Sequence, residues 1–229
     1  MLYLLGQRLA RGSRIGFSWV AADFIGLDRG VRIGHFNVII VRRLLLRDHA
    51  YIGRGNIIKG PMGIFLKSQA AIGNGNFVLR AGRGISSGGA QLRLGRLSKL
   101  TARHHVDCTS SIRFGDYSTL AGAGSQIWTH GYVHDLVGSG RYRIDGPVTV
   151  GHNVSIGSAC VITAGVCLAD GVMVGAGATV ASSLSEAGAY VSAGLRHLAR
   201  PPDPDTRAEL RKMDDARLCE RVYHKPAGH

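Results

Sequence analysis

Bulky rings are scarce in this chain: aromatic residues make up 7% of its 229 positions, with two tryptophans among them. A wide core built on aromatic anchors is therefore not what the sequence provides, and a narrow interior suits it better. Cysteine is sparse and unpatterned. Cys108, Cys160, Cys167 and Cys219 show no CxxC spacing and come without a secretory context, which excludes a disulfide framework and the common zinc-ribbon pattern. They read as reduced thiols of a cytosolic protein, with Cys160 and Cys167 as small buried apolar residues.

Acidic residues are also few, 15 against 28 lysines and arginines, for a formal net charge of +13. Such a surface suits an anionic partner: coenzyme phosphates, acidic sugars, a membrane surface or nucleic acid. Nucleic acid is the weakest of these, because the basic residues are scattered and no recognition motif is present. Long apolar runs are missing too. The start, MLYLLGQRLARGSRIG, is apolar and then carries three arginines, but it lacks the apolar region and cleavage site of a secretory signal and is too short to span a bilayer. It reads as a mature start or the cap of a domain, compatible with weak membrane-surface association. The expected location is the cytoplasm, peripheral at the inner membrane surface at most.

What the chain does have is glycine, 33 of them, and an aliphatic period of six. Ile144, Val150, Ile156, Ile162, Leu168, Val174 and Val180 share one phase, and small residues follow most of them. No α-helix or ordinary strand repeats every six residues. A parallel β-helix does, because each short strand buries one aliphatic side chain and the small residue lets the backbone turn. The same rule recurs upstream at Ile33 and Ile39, at Leu46, Ile52 and Ile58, at Leu66, Ile72 and Val78, and at Leu94, Leu100, Val106 and Ile112. After a slip of two it resumes at Phe114 and Leu120.

The pattern predicts an all-β solenoid over roughly Val31 to Leu184. Residues 1–30 form an N-terminal cap or segment, 31–200 the repeat domain, and 201–229 a Pro-rich turn with a short helical tail, Asp205 capping a helix to about Arg221. The longest interruption is Gln126 to Arg143, QIWTHGYVHDLVGSGRYR, where the core phase fails at Gln126, Tyr132 and Gly138. A loop holding Trp, two His, an Asp and two Arg fills a core poorly and builds a site well.

The segments FGDYSTLAGAGSQIWTHGYVHD and GPVTVGHNVSIGSACVITAGVCLADGVMVGAGATVASSL resemble the hexapeptide-repeat O-acetyltransferases. Within that family they look like the sugar acetyltransferases of surface-polysaccharide and lipopolysaccharide synthesis, related to the maltose, galactoside and nodulation enzymes. The resemblance is strong from about Phe114 to Arg200 and generic before that. It implies a left-handed parallel β-helix, a homotrimer with active sites between neighbouring subunits, acetyl-CoA as donor, a sugar or polysaccharide precursor as acceptor, and no metal. Composition and spacing do not themselves show the left hand.

By the same resemblance, His130 in Trp128-Thr129-His130-Gly131 matches the base that takes the proton from the acceptor hydroxyl. The chemistry fits, since a sugar hydroxyl is a weak nucleophile and imidazole is a competent base near neutrality. Asp135 either orients an imidazole or is a solvated loop carboxylate. His105 and Asp107 lie one or two coils earlier, where they would touch the acceptor or the base, and Trp128 and His134 complete the expected acceptor site. Ser158, Ala176, Ala181 and Ser182 take the places that border pantetheine, and Arg200 falls near the adenosine phosphates. The Gly-Asn-Pro-Ala segment of related enzymes is replaced by Ala193-Gly194-Leu195-Arg196, a departure at the segment that precedes the basic residues near the phosphates.

Two other readings compete. A zinc enzyme resembling the γ-type carbonic anhydrases would use His105, His130 and His134 as ligands with a water in the fourth place. A non-catalytic polysaccharide-binding solenoid would leave the histidine-bearing loop without a task.

Overall fold

In the computed structural model, which describes residues 8–82, 88–134, 136–192, 196–198, 204–208, 211–212 and 223–224, short parallel strands stack coil upon coil in three columns. Ile33 pairs with Ile52 and Ile52 with Ile72, so one turn takes 19 or 20 residues, close to three hexapeptides. Two of the columns merge in the first coils because Trp19–Leu27 and Val38–Leu46 run unbroken around the corner between them.

The aliphatic phase is the core. Every phased residue from Ile33 to Leu120, and again from Val150 to Val180, is at most 4% exposed. Each such side chain contributes roughly 1.5–3 kcal/mol by leaving water. The residue after it is often glycine for a steric reason: a Cβ on Gly73 would lie 1.8 Å from the carbonyl oxygen of Thr101 in the next coil. One corner carries a polar ladder instead. Asn56 and Asn76 each donate backbone and side-chain N–H groups to the Asn one coil before, and the N–H of His104 continues the series onto Asn76. These buried amides satisfy one another and the backbone, which is what makes their burial tolerable.

Four expectations need correction. Ile144 is in phase yet 53% exposed, because it sits on a hairpin outside the coil; Val148 takes the core position instead. Gln126 does not leave the ladder: Gln126–Ile127 pairs with His105–Asp107, and Ile127 is fully buried. Cys160 is buried as expected, but Cys167 points outward and is exposed. In the tail, Pro204–Thr206 is a single 3-10 turn, and Arg211–Lys212 pairs antiparallel with Tyr223–His224 where a helix was expected. At the other end the parallel ladder begins ahead of Val31, with Arg8–Leu9 against Gly26 and Leu27 and Arg14–Ile15 against Arg32 and Ile33.

Two steps of the solenoid are long. Ile72 pairs with Leu100 and Leu120 with Ile156, so these turns take 28 and 36 residues. Both insertions leave at the same corner, one after Phe77–Leu79 and one after Gln126–Ile127. The second is the hairpin His130–His134 with Arg141–Asp145, in which His130 faces Asp145. The coil carrying His105–Asp107 lies between them.

Candidate active site

At that corner the strand His105–Asp107 ends on a carboxylate, and the hairpin begins one coil on. Stacking brings the two together. Asp107 Oδ2 lies 2.9 Å from His130 Nδ1, with the Asp107 and His130 side chains 10% and 24% exposed. The same oxygen accepts the backbone N–H of Thr129 at 3.0 Å and its hydroxyl at 2.8 Å. Thr109 closes the other side, its hydroxyl donating to Asp107 Oδ1 at 2.9 Å and lying 3.2 Å from His130 Nδ1. Thr129 Oγ1 also accepts the N–H of Ser110 at 2.8 Å.

The electrostatics follow from these contacts. Burial by itself would raise the Asp107 pKa, but the hydrogen bonds from His130, Thr129 and Thr109 more than offset it and hold the carboxyl below its ordinary value. An acceptor of this kind assigns the imidazole proton to Nδ1. Nε2 then carries the lone pair, and no hydrogen bond occupies it among the described residues. A carboxylate-oriented imidazole with a free outward nitrogen can take a proton from a hydroxyl placed against it.

Aromatic rings surround it. Phe77, His105 and Trp128 stack in sequence, with centroids 6.4 and 4.9 Å apart, and Trp128 and Tyr132 each present an edge-on ring to His130 at 6.1 and 5.8 Å. Trp128 Nε1 is held by Gln126 Oε1 at 2.8 Å. Arg141 lies 4.7 Å over the Tyr132 ring. Below the site the buried Arg80 donates to the carbonyls of Pro61, Gly88 and Thr109, tying the first insertion to the coil of Asp107. Burial, then Arg42, depresses its pKa.

The structure thus joins His130, Asp107, His105 and Trp128. It places Asp107 against His130, one of the two contacts the sequence offered it, where a carboxylate can orient the imidazole as Asp135 was also expected to do. Asp135 and Arg200 lie outside the described residues. His134 is exposed at the far end of its hairpin strand, opposite Arg141. Among the described residues no three His, Cys, Asp or Glu side chains stand together as a metal site, and the proposed zinc trio is not assembled. The four small residues divide between two corners. Ala176 lies beside Ser158 in adjacent coils, with Gly177 N–H on Ser158 O. Ala181 and Ser182 follow Thr179–Val180 at the corner of Trp128, two coils on. Thr109 and Thr129 escaped sequence reading, although the Thr-His pair of THGY marks one of them.

No protein-family model and no curated protein matches this chain. Solved structures do. The polysialic acid O-acetyltransferase OatWY is 16% identical, covers 86% of this chain and 89% of its own, and superposes with a TM-score of 0.53. The polySia-specific acetyltransferase NeuO gives 15% identity, the same coverages and the same TM-score. An acetyl-CoA complex of the hexapeptide-repeat acetyltransferase VCA0836 from Vibrio cholerae is 22% identical over 49% of this chain and 61% of its own, with a TM-score of 0.42. What the first two likenesses establish is the fold, and this chain is built as a hexapeptide-repeat β-helix of that kind.

Proposed function

We propose that this protein transfers an acetyl group from acetyl-CoA to a hydroxyl of a sugar or polysaccharide precursor. The observation that carries the reading is the Asp107–His130 pair, with Nε2 free, at the corner where both insertions leave the coil. His130 Nε2 takes the hydroxyl proton as the oxygen attacks the thioester carbonyl. The C–S bond then breaks, and the imidazolium returns the proton to the coenzyme sulfur. Asp107 keeps Nδ1 protonated and stabilises the cation that forms.

For the acceptor, Trp128 and Tyr132 supply apolar faces on which a sugar ring packs. OatWY is named for polysialic acid, and the net charge of +13 with Arg141 beside the site favours an acidic glycan here as well. Ser158, Ala176, Ala181, Ser182 and Arg200 border the coenzyme, and His134 contacts the acceptor. The active unit is a homotrimer in the cytoplasm. Its hairpin exposes Leu136, Val137, Tyr142 and Ile144, apolar surface that a neighbouring subunit covers.

The deciding experiment is release of coenzyme A thiol from acetyl-CoA with acidic and neutral glycans as acceptors, in the parent and His130→Ala. Transfer that falls by roughly a hundred- to ten-thousand-fold, with coenzyme binding and mass unchanged, supports the assignment. Near-parental transfer by the variant sinks it. Mass in dilute buffer tests the trimer directly, and a fully active monomer refutes a shared site.

A further inference from the structure

The first two coils carry a surface that the acetyl-transfer reading leaves unused. Phe17, Trp19 and Phe36 are 80%, 70% and 70% exposed, and Phe17 and Phe36 meet edge to face at 6.3 Å. They border a groove of about 850 Å³ whose walls are mostly aliphatic, including Val20, Ala21, Val38 and Ile40. Phe36 is held there against local preference. Its φ is +60°, and the next two coils use Gly55 and Gly75 at the same turn. A bulky residue in this region costs on the order of 1–2 kcal/mol relative to glycine, a cost the chain accepts again at Arg103 in the coil after Gly75.

The coils that carry the groove are cationic, with Lys59 paired beside Ile40 of its wall, although the groove's own lining holds no cation. From Arg11 to Lys59 the chain has nine arginines and lysines, all exposed, against three aspartates. Two of those acids are engaged, Asp28 with Arg47 and Asp48 with the N–H of Arg29, and Asp23 stands on the groove rim. Strand register puts Arg14 beside Arg32.

We propose that this end of the solenoid docks on a bilayer containing anionic lipid, with Phe17, Trp19 and Phe36 entering the headgroup boundary and the arginines facing the phosphates. Aromatic side chains settle at that boundary, and each nearby Lys or Arg contributes about 1 kcal/mol on an anionic surface. A second copy of this chain fits worse, because pairing these patches brings like charges together. A glycan fits worse because the aliphatic walls offer few hydrogen-bonding groups. From Trp19 the outward column runs through Val38, Ile57 and Phe77 to His105, four strand spacings or about 19 Å. A docked molecule would therefore hold its candidate active site some two nanometres above the membrane.

The test is co-sedimentation of the full chain with vesicles of phosphatidylcholine, with and without phosphatidylglycerol, at low and high salt. Binding should require phosphatidylglycerol and fall as salt rises. Phe17→Ser with Trp19→Ser should weaken it at least tenfold. Phe36→Gly should also weaken it while the melting temperature holds or rises, which separates lost docking from lost folding. No binding to anionic vesicles, equal binding to pure phosphatidylcholine, or parental binding by the variants would each overturn the proposal. So would a drop in mass of the variants in free solution, which makes the patch a subunit contact. Binding of a soluble acidic polysaccharide that the same variants abolish would assign the surface to glycan instead.

Discussion

Asp107 and His130 are 23 residues apart in sequence and meet at 2.9 Å because one coil of the solenoid lies between them. The carboxylate determines which imidazole nitrogen carries the proton and which is left with the lone pair. Asp107→Asn keeps the shape but offers an amide that can donate to Nδ1, which favours the wrong tautomer. Transfer should fall by roughly two to four orders of magnitude with little change in the melting temperature. Steady-state rates alongside thermal unfolding check this, and an active Asn variant would remove Asp107 from the mechanism.

Thr109 and Thr129 each donate a hydroxyl to that carboxylate. Replacing either with Val retains the volume and leaves a buried acceptor short of a partner, at a cost of about 1–3 kcal/mol. Ser at the same position restores the donor. Thr129→Val should therefore lower both stability and rate, with Thr129→Ser recovering most of each. Equal behaviour of the Val and Ser variants would show that packing, rather than the hydrogen bond, is what matters there.

Much of the fold is legible in the six-residue period because each phased aliphatic points into one narrow interior. Ile144 misleads for a physical reason: the inserted hairpin has its own alternation, and a phase count cannot tell that the chain has left the coil. His130 and the histidine-bearing loop are visible in the sequence, and Asp107 is legible as a residue that touches the acceptor or the imidazole; which of the two it meets is not. Placing Asp107 needs the coil length, since a step of 21 residues carries His105 onto Gln126 and Asp107 to the foot of the hairpin. The exposed rings at Phe17, Trp19 and Phe36 have no periodic signature, and their meaning emerges only when two coils are stacked.

The register itself makes a contrasting pair of expectations. Ile156→Asp buries an unpaired carboxylate among Leu120, Val174 and their neighbours and should cost several kcal/mol, enough to prevent folding. Ile144→Asp lies on the hairpin strand outside the coil and should leave the subunit folded, its charge falling on the surface proposed as a subunit contact rather than in the core. Denaturant unfolding of both variants is the check. A soluble, parent-like Ile156→Asp would mean the register is wrong.

His104 gives the fold a pH dependence of its own. It occupies the ladder position that Asn37, Asn56 and Asn76 fill in earlier coils, accepting the Ser125 N–H on Nδ1 and bonding Thr101 through Nε2. Burial lowers its pKa from 6.5 to about 4. The folded state thus holds the neutral ring, and the unfolded chain takes up the proton first as pH falls. Stability is complete above pH 6.5 and declines towards pH 4, by roughly 3 kcal/mol at 1.36 kcal/mol per unit. His104→Asn removes the titrating ring and restores the residue type of the ladder. Its unfolding free energy should lose most of that acid slope while remaining close to the parent at pH 7. An unchanged slope between pH 6.5 and 4 would place the acid sensitivity in another group.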